Sequence, residues 1–237
     1  MTEILGSEGY YQIHSGCDGT RNGVGIILSP EGYLAYQAAN CRSYTYGDNK
    51  STVDVGKISN QGRWIAVDLT VKDSKNKSQT IMLVSTYAPT SAHYEASARW
   101  ARGFSAIRKQ LNSAGSKKLL IIGGDFNAAM GIGRSREHAV LGSHGISTIN
   151  PAGTRLRKTL AREQMVVMTT FYHHKNTNKG GTWCKITKKD GKGKEEEEEH
   201  KWYQNDHFVT LQAQRKIFKY ARTMSVATSP SVSDHEG

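Results

Sequence analysis

LLIIGGDFNAAMG, Leu119–Gly131, is the stretch on which the fold turns. Four aliphatic residues running into two glycines read as a fully buried strand that ends close to its neighbours. Asp125 and Asn127 follow, two positions apart, so in extended chain they face the same side. A carboxylate and an amide displayed together at the end of a sheet can orient a water and hold a phosphoryl oxygen. The same pair can instead bond its own backbone in an Asx-turn. The stretch alone leaves both readings open.

Outward from it, the chain alternates strands and helices. Arg63–Val71 places Ile65, Val67, Leu69 and Val71 on one face and reads as a half-buried strand. The polar turn KDSKNKSQ separates it from Thr80–Tyr87, giving a hairpin that Pro89 stops. Trp100, Phe104, Ile107 and Leu111 fall at helical spacing and belong to a helix core, with Gly115 where that helix ends. Beyond GDFN, Leu156, Leu160 and Met165 predict a shorter helix, and Val166–Phe171 another strand. Asn22–Leu28, NGVGIIL, predicts a turn feeding a buried strand. The layout is mixed α/β in one domain over 1–237. Lys175–Lys201 is of low complexity, with a charged insertion at about 185–201 whose KGKEEEEE run predicts a solvated loop.

The 237 residues carry a net charge of +11 with 37% hydrophobic content, enough to bury one sizeable core. Lys175–Lys201 holds eight lysines against six acids, so most of the positive charge lies in the presumed globular part. That charge points to a polyanionic partner, DNA first and an acidic membrane surface second. Cys17, Cys41 and Cys184 are odd in number and scattered, which predicts a reducing compartment and no disulfide-linked partner. MTEILGSEGYY has no basic and apolar leader pattern, and no run of apolar residues suits a membrane span. An intracellular protein, nuclear if it acts on DNA, is expected. The sequence does not indicate an oligomeric state.

Other chemistry-bearing residues are weaker. His173, His174, His200 and Cys184 match no metal-binding spacing and read as surface groups. Trp183 reads as packing rather than as a wedge between bases. Arg21, Arg134 and Arg136 are candidate phosphate contacts, the latter two in a loop close behind Asn127.

Taken in order, NGVGIIL, STYAP, GDFN, GTW, NDHFV and SDH resemble the endonuclease/exonuclease/phosphatase superfamily across essentially the whole chain. RNGVGIIL, GGDFNAAMG and HGISTINPAG look most like the apurinic-endonuclease-like domains of non-LTR retrotransposons and craniofacial development protein 2-like proteins. The resemblance implies a DNase I-like four-layer α/β/β/α sandwich and Mg²⁺-dependent (or Mn²⁺-dependent) phosphodiester hydrolysis, a DNA nicking activity. It implies that Asp125 activates the attacking water and Asn127 binds the scissile phosphate. Tyr87 would lie against the phosphate or leaving oxygen, and His235 would stabilise the developing charge. Asp234 would lie near the metal, and Asp206 would orient His235. His207, alternating away from Asp206, is left out of this set.

The sequence also departs from the family's pattern. An asparagine strand and a strand bearing a metal-ligand glutamate are expected before GVGIIL, and the 22 residues ahead of Gly23 do not read as that pair. Glu3 and Glu8 are the glutamates available there. The expectation is therefore a sandwich incomplete at its N-terminus, with weakened metal affinity. A catalytically inactive nucleic-acid- or chromatin-binding remnant is the alternative to an active endonuclease, and a small-molecule phosphatase is a further one.

Overall fold

The computed structural model describes residues 2–5, 9–15, 23–45, 63–90, 94–113, 117–133, 139–173, 181–189 and 197–221. In chain order, β1 (Thr2–Leu5), β2 (Tyr10–Ser15) and β3 (Val24–Leu28) precede α1 (Pro30–Ala38) and β4 (Ser43–Thr45). Next come β5 (Trp64–Lys72), β6 (Ser78–Tyr87), α2 (Tyr94–Ser113) and β7 (Leu119–Asp125). Then follow α3 (Pro151–Arg162), β8 (Met165–Val167), β9 (Trp183–Lys189), β10 (Glu197–Tyr203) and β11 (Asp206–Leu211). Short 3₁₀ turns cover Met168–Thr170 and Gln212–Ile217.

Six strands form the main sheet in the order β4-β5-β6-β7-β11-β8, and β1-β2-β3 form a smaller one. The β5–β6 hairpin closes where Asp73 accepts hydrogen bonds from the Lys75 and Lys77 amides and Asn76 takes φ 60°. β6 runs parallel to β7, which requires a crossover, and α2 supplies it. That helix buries Trp100, Phe104, Ile107 and Leu111 against β5, β6 and β7. The Trp100 ring stacks on Trp64 at 5.2 Å, and Phe104 meets Trp64 edge-on at 5.0 Å. α3 begins at Asn150, whose side chain accepts from the Gly153 amide, with Pro151 in the first turn. It adds Leu156 and Leu160 to the same core.

On the opposite face, Ile13, Ile26 and Leu28 of the small sheet and Tyr36 of α1 close a second core on Ile65 and Val67 of β5. The layers thus run from α2 and α3 through the six-stranded sheet to the small sheet with α1 beside it.

Five expectations need correction. The residues before Gly23 are not strand-free, since β1 and β2 pair antiparallel and β2 pairs with β3, although neither carries the expected asparagine. Tyr10–Ser15 alternates, turning Ile13 and Ser15 inward, and so carries the period of a strand. β3 is buried on one side only, with Ile27 left 61% exposed. β5 is buried on both sides over its first half, because α2 covers Trp64 and Ala66 while the small sheet covers Ile65 and Val67. Val166–Phe171 is strand only to Val167.

Finally, part of the charged insertion is a hairpin rather than a loop. β9 and β10 pair antiparallel, with Glu197 opposite Lys189 and Glu198 opposite Lys188. The two runs pair residue for residue as strands, where composition alone suggests solvated chain. Residues 190–196, with most of the KGKEEEEE run, lie outside the described residues. No helix among the described residues is long and apolar enough to cross a membrane.

Candidate active site

β6, β7 and β11 lie side by side and end at the same edge of the sheet. In the parallel pair Tyr87 is the register partner of Asp125, and in the antiparallel pair Asp206 is. Register partners share a face, so a phenol and two carboxylates stand in one row across three strands. All three are partly buried, on the face away from α2 and α3.

Backbone contacts fix this row. The Ala88 amide donates to Asp125 O at 2.8 Å, and the Phe126 amide donates to Asn205 O at 2.9 Å. Gly124 makes the close approach of β7 to β6 possible. Its φ is +149°, and a Cβ there would lie 1.8 Å from Thr86 O. Thr182 Oγ1 accepts from both the Asn205 and Asp206 amides at 3.1 Å, which anchors the start of β11. Beneath Tyr87, the Trp100 indole donates to Thr86 Oγ1, which donates to Arg63 O, each at 2.8 Å.

Asn127 departs from the expected geometry. β7 stops at Asp125, and Asn127 takes φ 45° in the left-handed region. It therefore does not continue an extended strand. The Asn127 amide donates to Asp125 Oδ1 at 2.7 Å, the Asx-turn alternative, and its side-chain Nδ2 donates to Ala88 O at 2.8 Å. The side chain thus ties the GDFN turn to the TYAP turn while keeping a second N–H on Nδ2.

His207 points to the opposite face. It is buried against Phe126, with Nε2 at 3.1 Å from Ala128 O and Nδ1 at 3.4 Å from Thr169 Oγ1. Burial pushes its pKa down to about 4, so it is a neutral core histidine. Trp183 packs against Tyr203 at 5.3 Å, as expected of a packing residue. His173 meets the His144 ring at 5.7 Å. His235, Asp234, Arg21, Arg134 and Arg136 lie outside the described residues, as do His174 and the His200 side chain.

Arg63 was not legible from its local sequence. Its guanidinium sits 5.3 Å from the centre of the Tyr87 ring, and Nη1 donates to Tyr87 O at 3.3 Å. It lies just ahead of β5, and only the β5–β6 register brings it beneath the phenol. The double service of Thr182 was equally hidden, although the Thr-Trp pair marked the place.

The donor set can be judged against a metal. Among the described residues no cluster of three or more His, Cys, Asp or Glu side chains could enclose a cation. Two carboxylates directly opposite in register could both be offered to one cation. A hard ion that uses one or two carboxylates and fills the rest of its shell with water and phosphate oxygens fits this pair, as Mg²⁺ or Mn²⁺ does.

The fold is shared with known proteins. The catalytic domain of Xenopus laevis APE2 superposes with TM-score 0.54 at 12% identity, covering 88% of this chain and 68% of that one. A 3′ phosphatase, NExo, from Neisseria, bound to a product DNA hairpin, gives 0.47 at 16% identity, covering 88% and 69%. An endonuclease/exonuclease/phosphatase family protein from Leptotrichia buccalis gives 0.44 at 13%, covering 86% of this chain and 61% of its own. No family model and no curated protein sequence matches the chain. The chain thus shares its fold with that APE2 catalytic domain, the DNase I-like architecture that its motifs imply.

Proposed function

We propose that the protein is a metal-dependent phosphodiesterase acting on DNA, an endonuclease of the non-LTR retrotransposon type. The observation that carries this reading is the row formed by Tyr87, Asp125 and Asp206 across β6, β7 and β11. The net charge of +11 supplies sequence-independent attraction to DNA phosphates, and a chain acting on DNA would work in the nucleus.

Asp125, with Asp206 opposite, would hold Mg²⁺ or Mn²⁺, which when bound offsets charge on the phosphoryl oxygens. Asp125 orients the attacking water and takes its proton. The second Nδ2 hydrogen of Asn127 faces a phosphate oxygen. Tyr87, held over Arg63, donates its phenolic proton toward the phosphate or the departing oxygen. The SDH motif gives His235 the role of stabilising the developing charge, Asp234 a place near the metal and Asp206 the orientation of His235. Arg21, Arg134 and Arg136 are kept as phosphate contacts.

A second reading, a DNA-binding protein without cleavage, is favoured by the absence of a third acidic donor among the described residues. An end-labelled DNA duplex decides between them. Cleavage that needs Mg²⁺, stops in chelator and is lost in His235→Ala supports the endonuclease. Salt-sensitive binding without cleavage supports the alternative. Hydrolysis of a small phosphate ester at a rate insensitive to salt overturns both.

A further inference from the structure

Among the described residues the small sheet packs chiefly on β5 and β6 of the six-stranded sheet. On the same face, β7 and β11 open onto a cleft lined by Ile121, Met168, Phe208, Phe218 and Tyr220. Two of these rings are strongly exposed, Phe208 at 47% and Tyr220 at 68%. Phe208 is the register partner of Gly123, and its ring lies 3.0 Å from where a Gly123 Cβ would stand. It therefore sits one row along from Asp125 and Asp206 on their own face, about 7 Å away along the strands.

The segment that brings Phe218 and Tyr220 also brings cations. Arg215 stacks on Phe171 at 4.7 Å, and Lys216 and Lys219 are exposed. The Tyr172 hydroxyl donates to Phe218 O and pins the segment in place. Among the described residues no carboxylate lines the cleft. A second copy of the chain is a poor occupant, because a two-fold contact would set these lysines against each other. Exposed rings beside exposed cations suit flat, uncharged bases joined by phosphates.

We infer that this face binds single-stranded nucleic acid, with unpaired bases stacking on Phe208 and Tyr220 and the backbone held by Lys216 and Lys219. The inference deepens the proposed function and rests on it, since it makes an unpaired segment beside the cut site part of the substrate.

The test is fluorescence anisotropy of the full chain with an oligothymidine strand of about twelve nucleotides and with a duplex of equal length, both in chelator. Phe208→Ala and Tyr220→Ala should each weaken oligothymidine binding about 5- to 100-fold while leaving duplex binding nearly unchanged. Phe208→Trp should restore it. Tyr220 is exposed enough that its variant folds whatever Phe208→Ala does. Oligothymidine affinity unchanged in Tyr220→Ala and in folded Phe208→Ala overturns the inference. So does a dimer in sedimentation that Phe208→Ala dissociates without loss of oligothymidine affinity. Chelator removes cleavage from the experiment, so ring-dependent binding by a chain that never cuts keeps this site and sinks the endonuclease. Cutting with ring-independent binding does the reverse.

Discussion

Asp125 and Asp206 stand directly opposite each other on antiparallel neighbours, two carboxylates in one register position at the end of the main sheet. Like charges so placed oppose strand pairing, and a divalent cation held by both would offset that cost. Mg²⁺ in the millimolar range is expected to raise the melting temperature of the unaltered chain. At ten times its dissociation constant the gain is about 1.4 kcal/mol. Asp206→Asn should abolish most of that rise without unfolding the protein. An equal rise in the variant places the ion elsewhere.

Gly124 is what allows the row to form. A methyl group there would meet Thr86 O at 1.8 Å, in a backbone conformation that side chains rarely adopt. Gly124→Ala should cost roughly 3 kcal/mol or more in urea unfolding and should displace Asp125. Gly123→Ala is the control, since its methyl meets only the Phe208 ring, which can shift. It should cost less than about 1.5 kcal/mol.

Away from the row, Lys118 and Asp68 form a buried ion pair at 2.6 Å, and Tyr44 donates to the same Asp68 oxygen at 2.8 Å. Asp68 Oδ1 is buried and has no hydrogen-bond partner among the described residues. Lys118→Met leaves a carboxylate inside the protein with only Tyr44 and should cost about 3–5 kcal/mol. The double variant Asp68→Leu/Lys118→Met should recover most of that in the same denaturation assay.

His207 sets an acid limit on stability. Its pKa is about 4 in the folded protein, against about 6.5 when unfolded. Between those values the unfolded chain binds the extra proton, so stability is full above about pH 6.5 and falls as pH drops toward 4. The loss amounts to about 3 kcal/mol. Urea unfolding between pH 7 and 4 should show this slope, and His207→Gln should flatten it. Equal slopes in the two proteins would mean that the imidazole titrates normally.

The legible parts of the fold were those that local periodicity specifies. Trp100 to Leu111 at helical spacing and the two alternating runs joined by KDSKNKSQ gave α2 and the β5–β6 hairpin. Runs whose fate depends on distant neighbours were misread. Trp64 and Ala66 look solvent-facing until α2 covers them, and the Lys- and Glu-rich hairpin becomes visible only when its two strands are placed in register. The site divides the same way. TYAP, GDFN and NDHF were recognisable one by one, but the contact of Arg63 with Tyr87 depends on hairpin register and the turn at Asn127 on a positive φ. Neither has a signature in composition or period.

The most direct measurement is nicking of supercoiled plasmid by the full 237-residue chain with Mg²⁺, beside Asp125→Ala and Asp206→Asn. The row across β6, β7 and β11 predicts nicking by the unaltered protein and a loss of about 100-fold or more in each variant. Nicking that survives both substitutions contradicts the assignment of the site. No nicking by the unaltered chain, with salt-sensitive plasmid binding retained, contradicts the endonuclease and leaves a DNA-binding protein on the same fold.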